Sequence, residues 1–335
     1  MARTIVKNTA LVLVIVILCA GFLEAMTRVF LDSGTLYELE MWKYARFVKM
    51  RDDRPDIGHR HRANAHATLM AEDVRTNSYG FRGPEIAEKA ADGVARIAFL
   101  GDSLAMGWGV AENETFPHQV IADLQKAGRK VDGFNLGVGN YNTTQELALY
   151  KDIGAKMKPD IILLAYFIND AEPIPSYGET GWLENHSEAW VVLNYRIDAV
   201  LRQMGDVPDW KRYYRELYND GRPGWTATKK ALGELAALAK SSGTRLVVFH
   251  LPELHELKPY PFNDVTAKVK SVVEADGVQF VDLLPSVENL DPPSLWVTVP
   301  DPHPNARADT ALTKGMIPAL IPILDELCRT EHKGC

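Results

Sequence analysis

Cysteine is scarce in this sequence, with three residues in a chain of 335. No pair of cysteines has the spacing of a zinc site, and the P-loop and G-x-G-x-x-G patterns of nucleotide-binding proteins are missing. The sequence therefore implies neither a metal nor a cofactor. Cys19 lies in an apolar run, whereas Cys328 and Cys335 stand close together near the C-terminus. In an oxidising compartment these two could form a local disulfide, and otherwise they are free thiols in a frayed tail.

A surplus of basic residues is also missing. The chain has 37 lysines and arginines against 44 aspartates and glutamates, which gives a formal net charge of −7. A protein that binds many phosphates needs a basic surface to neutralise them. We therefore expect no nucleic-acid partner.

The N-terminus carries one long uncharged apolar run, residues 10–23 (ALVLVIVILCAGFL), after Arg3 and Lys7. This run is shorter than the roughly 20 residues that span a bilayer, but its neighbours can extend it. An Ala-x-Ala cleavage pattern is missing, which favours an uncleaved signal anchor over residues 1–26. Because basic residues before a span stay in the cytoplasm, we expect a single pass through the inner membrane and a periplasmic or extracellular remainder. The alternative is secretion after cleavage.

Residues 27–92 are expected to form a stalk and an N-terminal extension, with one or two helices leaving the membrane. Residues 51–72 are polar and irregular and contain His59, His61 and His66. Three histidines can suggest a metal site, but no second cluster completes a ligand set. We expect a solvated loop here.

Residues 93–328 alternate apolar runs of strand length with stretches of helical spacing. Strands are predicted at 96–100, 133–136, 161–166, 245–250 and 278–283. Helices are predicted at 116–127, 144–157, 226–239, 263–275 and 306–327. This alternation indicates a three-layer α/β/α sandwich around a five-stranded, mostly parallel sheet, followed by a tail over 329–335. Ligands of such sheets bind at the carboxyl ends of the strands.

An insertion over residues 171–224 separates the third and fourth strands by more than a simple crossover. It is rich in aromatic residues, namely Trp182, Trp190, Trp210, Tyr213, Tyr214 and Tyr218. The insertion could form a cap whose rings line a substrate pocket. Equally, the rings could form its own small core.

Polar residues follow three of the predicted strands. Ser103 stands in Gly101-Asp102-Ser103-Leu104 directly after the first strand, where a strand-to-helix turn exposes a serine hydroxyl. The second strand is followed by a loop rich in glycine and asparagine that contains Gly139 and Asn140. Asn169 follows the third strand. Backbone N–H groups and an amide that converge in this way can form an oxyanion hole.

A histidine and an aspartate stand close together before the last predicted helix, in Asp301-Pro302-His303-Pro304-Asn305. A histidine in that loop can take the proton of Ser103, and a neighbouring carboxylate can fix its tautomer. The order of serine, aspartate and histidine along the chain is compatible with a catalytic triad.

These four blocks resemble the SGNH (GDSL) hydrolase family of esterases, lipases, carbohydrate deacetylases and related acyltransferases. The resemblance spans roughly residues 75–325 and implies a flavodoxin-like fold. It implies that Ser103 is the nucleophile, His303 the base and Asp301 its orienting acid. The oxyanion donors would be Ser103 together with Gly139, Asn140 and Asn169. The stretch 77–85 (NSYGFRGPE) is similar to membrane-tethered bacterial members.

Three positions depart from the common family pattern. The acid usually stands three residues before the histidine, but that position is Pro300, and Asp301 is only two before. A D-x-H arrangement occurs in related polysaccharide O-acetyltransferases. The position of the usual donor glycine is Asn140, with Gly139 just before it, so either residue could be the donor. Phe167 replaces a glycine before Asn169.

We therefore predict a serine esterase that acts through an acyl-enzyme at Ser103. Its expected substrates are ester-linked acyl groups, first of all acetyl, on an envelope glycan or glycolipid, or small esters. A polysaccharide O-acetyltransferase with the same triad is one alternative. A non-catalytic component that binds or exports envelope polysaccharide is another. The sequence does not identify a protein partner.

Overall fold

The computed structural model describes residues 2–175, 181–204, 209–299 and 301–335. Its strands are β1 Lys49–Arg51, β2 His59–His61, β3 His66–Leu69, β4 Glu72–Arg75, β5 Ala95–Gly101, β6 Val131–Asn135, β7 Ile161–Tyr166, β8 Arg245–His250, β9 Gln279–Asp282, β10 Trp296–Thr298 and β11 Asp301–Pro304. Its α-helices are α1 Ala2–Met26, α2 Tyr37–Lys43, α3 Ser103–Met106, α4 Phe116–Lys126, α5 Thr143–Asp152, α6 Trp182–His186, α7 Glu188–Met204, α8 Trp210–Leu217, α9 Pro223–Ser242, α10 Asn263–Ala275, α11 Leu284–Val287 and α12 Ala306–Glu331. Turns of π-helix follow α1 and α2, at Thr27–Leu31 and Tyr44–Val48.

The central sheet is parallel and has the strand order β6-β5-β7-β8-β9. Helices α4 and α12 pack against each other, and α9 packs against both α5 and α10. The predicted sandwich with a five-stranded parallel sheet is thereby confirmed. Strands β5 and β7 are buried along their whole length, which explains why they are apolar at almost every position instead of alternating.

Helix α1 is exposed and apolar. Together with the π-helical turn that follows it, α1 gives a segment, Arg3–Leu31, that is long and apolar enough to cross a membrane. Its most apolar 18-residue window has a mean hydropathy of 2.5.

The segment after α1 packs against the sheet domain. Leu39, Tyr44 and Val48 are fully buried, and they share a second hydrophobic cluster with Trp108, which follows α3. The expectation of a solvated loop is wrong at β2. His59 and His61 are buried there, because β2 pairs with β1 beneath the Tyr44 ring. His66 is exposed and bonds to Asp73.

The insertion divides into two parts, and its residues 176–180 and 205–208 lie outside the described part of the chain. Helices α6 and α7 pack near the end of α1 and against α2. Helix α8 packs on the main core, where Trp210 and Tyr214 contact Phe262. Tyr218 is buried against Tyr166. Trp210, Tyr214 and Tyr218 therefore join the core of the domain, whereas Tyr213 is exposed.

The C-terminal tail is fixed by a covalent bond. Cys328 and Cys335 form the disulfide that the sequence left open. Cys19 lies on the exposed surface of α1.

Candidate active site

Ser103 stands at the first position of α3, directly beyond the carboxyl end of β5. The turn is tight at Gly101, whose φ is +157° and where a Cβ would lie 2.6 Å from the side chain of Ala105. Asp102 caps the helix by accepting a hydrogen bond from the Leu104 N–H at 2.9 Å. Glycine at position 101 thus permits the tight turn that places the Ser103 hydroxyl at the start of the helix.

Ser103, His303 and Asp301 form a continuous chain of hydrogen bonds. Ser103 Oγ lies 2.9 Å from His303 Nε2. His303 Nδ1 lies 2.5 Å from Asp301 Oδ1, and the His303 backbone N–H also donates to that oxygen. Asp301 is fully buried, whereas the His303 side chain keeps 19% of its surface exposed. Asp301 and His303 are two residues apart in β11, so their side chains lie on the same face of that strand. The acid therefore reaches the histidine although it stands only two residues before it.

Trp108 holds the other oxygen of Asp301. Its indole Nε1 donates to Asp301 Oδ2 at 2.8 Å, and the ring is buried. Burial alone would raise the pKa of Asp301, but the hydrogen bonds from His303 and Trp108 outweigh it and lower that pKa. The acid is therefore kept as a carboxylate that can stabilise a protonated imidazole. Sequence reasoning missed Trp108, although it stands in the same Gly-rich block as the serine.

Tyr37 of α2 covers the histidine. Its ring stacks on His303 with 6.3 Å between centroids and meets Trp108 edge-on at 6.0 Å. Burial, and next the charge of Asp301, raise the pKa of the Tyr37 phenol. The segment that follows α1 therefore supplies one wall of the site. Nothing in the sequence connects Tyr37 with a block more than 250 residues away.

Gly139 and Asn140 stand next to each other in the loop after β6, but their backbone N–H groups differ in hydrogen bonding. The Gly139 N–H donates to the Tyr44 hydroxyl at 2.8 Å, and that hydroxyl also bonds to His61 Nε2 at 2.6 Å. Asn140 has a φ of +66°, and its backbone N–H bonds to no other described residue. The Asn140 side chain accepts from Lys49 Nζ at 2.7 Å.

Asn169 lies in the 3-10 turn Ile168–Ala171 beyond the carboxyl end of β7. One of its amide hydrogens is donated to Asp102 Oδ2 at 3.0 Å. No described residue accepts its other amide hydrogen. Asp102 thus links the serine turn to the Asn169 turn.

Three buried carboxyl groups lie beneath these turns: Asp102, Glu146 and Asp170. Burial raises the pKa of each, and their mutual repulsion adds to that rise at Glu146 and Asp170. Asp170 Oδ2 accepts from the Thr143 hydroxyl and from the Phe167 N–H. Asp170 therefore braces its own loop.

The stretch 77–85 supports the loop that follows Ser103. Arg82 is buried, and its guanidinium donates to the carbonyls of Met106, Gly107 and Val110, at 2.8 and 2.6 Å for the first and last. Asn77 Oδ1 accepts from the N–H groups of Tyr79 and Phe81. This motif holds the backbone that carries Trp108 and does not itself reach the triad.

His250 and His255 take no part in this arrangement. His250 is buried at the end of β8, stacked between Tyr166 and Phe280. His255 bonds to Glu253. Within the described ranges, no group of three histidine, cysteine or acidic residues could hold a metal ion.

A serine, a histidine and a buried aspartate joined in series at the carboxyl edge of a parallel sheet are the arrangement of the serine hydrolases. Residues 99–311 match the GDSL-like Lipase/Acylhydrolase family over well more than half of the chain. The chain belongs to this family, also known as the SGNH hydrolases, and is an esterase.

Solved structures of this kind are similar to the chain at low sequence identity. TesA is 15% identical with a TM-score of 0.45, covering 68% of this chain and 99% of its own. An acetyl-xylooligosaccharide esterase from Geobacillus Stearmophilus is 17% identical with a TM-score of 0.43, covering 67% and 93%. The psychrotrophic esterase EstA from Pseudoalteromonas sp. is 12% identical with a TM-score of 0.40, covering 69% and 98%. No curated protein matches the sequence.

Proposed function

We propose that the chain forms an acyl-enzyme at Ser103 and releases ester-linked acyl groups, first of all acetyl, from a glycan or glycolipid of the cell envelope. The observation that carries the proposal is the unbroken hydrogen-bond chain from Ser103 through His303 to Asp301. A serine hydroxyl is a weak nucleophile unless a base accepts its proton. The 2.9 Å distance between Ser103 Oγ and His303 Nε2 is short enough for that transfer.

The reaction begins when Ser103 Oγ attacks the ester carbonyl and passes its proton to His303 Nε2. Asp301 stabilises the imidazolium through the bond to Nδ1. His303 then returns the proton to the leaving alcohol oxygen, and the acyl group remains on Ser103. A water molecule, activated by the same histidine, hydrolyses the acyl-enzyme and restores the free serine.

Three donors are proposed to stabilise the oxyanion: the N–H groups of Ser103 and Asn140 and the side-chain amide of Asn169. We assign Asn140 and not Gly139, because the Gly139 N–H already donates to Tyr44. The positive φ of Asn140 lets its N–H turn away from the loop. Loss of one such donor typically costs about 100- to 1000-fold in kcat.

The envelope substrate and the location are proposed on the N-terminal helix. Arg3 and Lys7 precede the exposed apolar run of α1, which favours an uncleaved anchor with the site on the periplasmic side. An esterase fixed there meets glycans and glycolipids of the envelope before other esters.

Transfer of the acyl group to a sugar hydroxyl is the second candidate function. The observation that favours it is the Asp301-x-His303 spacing, which resembles that of polysaccharide O-acetyltransferases. Excess acetylated glycan over free acetate in a product assay with a glycan acceptor would support transfer, and free acetate alone would support hydrolysis.

The test of the proposed nucleophile is labelling of the detergent-solubilised full chain with a fluorophosphonate. We expect labelling of the wild type and none of Ser103→Ala or His303→Ala. His66→Ala serves as the matched control, because His66 is exposed and bonds to Asp73 instead of to Ser103 or Asp301. Equal labelling of Ser103→Ala would remove Ser103 from the proposal.

A further inference from the structure

Helix α7 has an apolar stripe that faces outward. Leu193, Ile197, Val200 and Leu201 recur at positions i, i+4, i+7 and i+8, and 47% to 62% of each residue is exposed. This spacing puts all four on one face of the helix. Four large apolar side chains on one exposed face of a helix indicate a partner surface.

The N-terminus of α7 is attached to the end of α1. Glu24 accepts hydrogen bonds from the Ser187 hydroxyl at 2.8 Å and from the N–H groups of Glu188 and Ala189 at 3.1 Å. Arg28 pairs with Glu24 at 2.6 Å and with Glu188 at 3.2 Å. The first two charged residues after the apolar run are thus paired with each other and with the start of α7.

The length of the apolar run determines how deep this junction lies. The 14 residues 10–23 extend roughly 21 Å as a helix, whereas the hydrocarbon core of a bilayer is about 30 Å thick. Continuing to Leu31 gives roughly 33 Å. The residues that complete this length, Val29, Phe30 and Leu31, are 71%, 65% and 43% exposed. Immersing them brings Glu24, Arg28 and the start of α7 to the membrane.

From that junction α7 follows the surface of the domain instead of returning along α1. Glu188 pairs with Arg28 after α1, and Arg196, two turns later, pairs with Glu38 of α2 at 3.1 Å. The neighbouring α6 carries Trp182 with 72% of its surface exposed. Tryptophan and arginine beside an apolar stripe are typical of helices that lie in a membrane interface.

We propose that α7 lies on the phospholipid surface with its stripe in the interface, and that it turns the active site toward esters carried by membrane lipids. The proposal rests on the proposed esterase function for its substrate, but not for the docking of α7. Helix α7 reaches the site wall by packing on α2, where Arg196 pairs with Glu38 at 3.1 Å. Tyr37, the residue before Glu38, stacks on His303.

Docking is tested with the full chain, with Cys19→Ser, in vesicles of phosphatidylcholine and phosphatidylglycerol. A bimane is attached through Ile197→Cys or, as matched control on the opposite face of the same helix, Tyr195→Cys, which replaces a side chain that is 45% exposed. Lipids with a nitroxide near the headgroup are expected to quench the probe at 197 at least about threefold more than at 195. Equal quenching at both positions overturns the proposal, as does a disulfide between two chains carrying Ile197→Cys, which would show that a second copy covers the stripe.

The substrate is tested with Ile197→Asn combined with Leu201→Asn, and Asn194→Gln as control. Hydrolysis of a soluble acetyl ester is expected to stay unchanged, whereas hydrolysis of an ester embedded in the vesicle falls at least about tenfold. Equal rates on both substrates overturn the membrane-facing site. If the wild type hydrolyses no ester at all, the proposed function fails, while the quenching result still decides the docking of α7.

Discussion

At the scale of single residues, the site depends on a tryptophan that touches no substrate atom in the proposed reaction. Trp108 satisfies the one oxygen of Asp301 that His303 does not use. An unpaired oxygen on a buried carboxylate costs about 1–3 kcal/mol. The indole also lies against Tyr44 and Tyr37, so it joins the triad to the N-terminal segment.

We therefore expect Trp108→Phe to lower kcat for a soluble ester by about tenfold with little change in KM. The ring remains to fill the pocket, but the hydrogen bond to Asp301 is gone. Steady-state kinetics on a soluble acetyl ester measure the effect. Trp42→Phe is the control, because Trp42 Nε1 donates to the Glu184 carbonyl instead of to the site. Unchanged kinetics in Trp108→Phe would mean that His303 alone is enough to hold Asp301.

A second prediction for a single residue concerns Tyr44, which supports the loop after β6. Its hydroxyl accepts from the Gly139 N–H, and the adjacent Asn140 is the proposed oxyanion donor. Tyr44→Phe leaves a buried N–H unpaired and frees the loop, so we expect kcat to fall by about tenfold and stability by about 1–3 kcal/mol. Kinetics and urea unfolding measure both. Tyr150→Phe, another buried tyrosine, should lose stability without the fall in kcat. A kcat equal to that of the wild type would contradict the role of Tyr44.

At the scale of elements, the sheet could be predicted from the sequence and the N-terminal segment could not. All five predicted strands lie within three residues of the observed bounds, because buried parallel strands are short apolar runs between turn residues. The blocks that carry Ser103 and Asn169 follow such runs, and the block with His303 precedes a helix. These positions could be predicted because ligands of parallel sheets bind at the carboxyl ends of the strands. No comparable rule applies to residues 27–92. Tyr37 and Tyr44 reach the site through tertiary contacts between segments far apart in sequence.

The two buried histidines of β2 make stability depend on pH. Burial, and next the charge of Lys49, lower the pKa of His59 and His61 to about 3. An unfolded histidine has a pKa near 6.5. Between these pH values the unfolded chain binds protons at the two histidines and the native chain does not. The stability that depends on these histidines is therefore complete above pH 6.5 and is lost as the pH drops. Each histidine contributes a loss of about 1.4 kcal/mol per pH unit.

We expect the change from pH 7 to pH 5 to lower the midpoint of urea unfolding more in the wild type than in His59→Gln, because the raised pKa values of the buried carboxyls Asp102, Glu146 and Asp170 act in the opposite direction equally in both proteins. His66→Gln, which changes an exposed histidine, should follow the wild-type pH dependence. Identical slopes in all three proteins would show that β2 opens before the rest of the domain unfolds.

At the scale of the whole molecule, the part of the chain that matches the family is not independent of what precedes it. The family match begins at residue 99, but Arg82 holds the loop after Ser103, and Tyr37 and Tyr44 pack on Trp108. Tyr44 and Val48 are fully buried, so deleting residues 27–92 would expose the apolar surface that they cover. Helix α1, in contrast, is exposed along its length.

These differences predict opposite results for two truncations. A chain of residues 27–335 keeps both hydrophobic clusters, so it should fold, elute as a compact species and hydrolyse a soluble ester at a rate near that of the full chain. A chain of residues 93–335 lacks Arg82, which binds the loop after Ser103, and Tyr37, which stacks on His303. It also lacks Tyr44, which accepts the hydrogen bond of the Gly139 N–H. We expect it to aggregate or to lose activity by more than about 100-fold, since Trp108 and the oxyanion loop are then unsupported. Gel filtration and ester hydrolysis measure both chains. Full activity of residues 93–335 would show that the extension only covers a finished site, whereas activity confined to residues 27–335 would make the extension part of the catalytic unit.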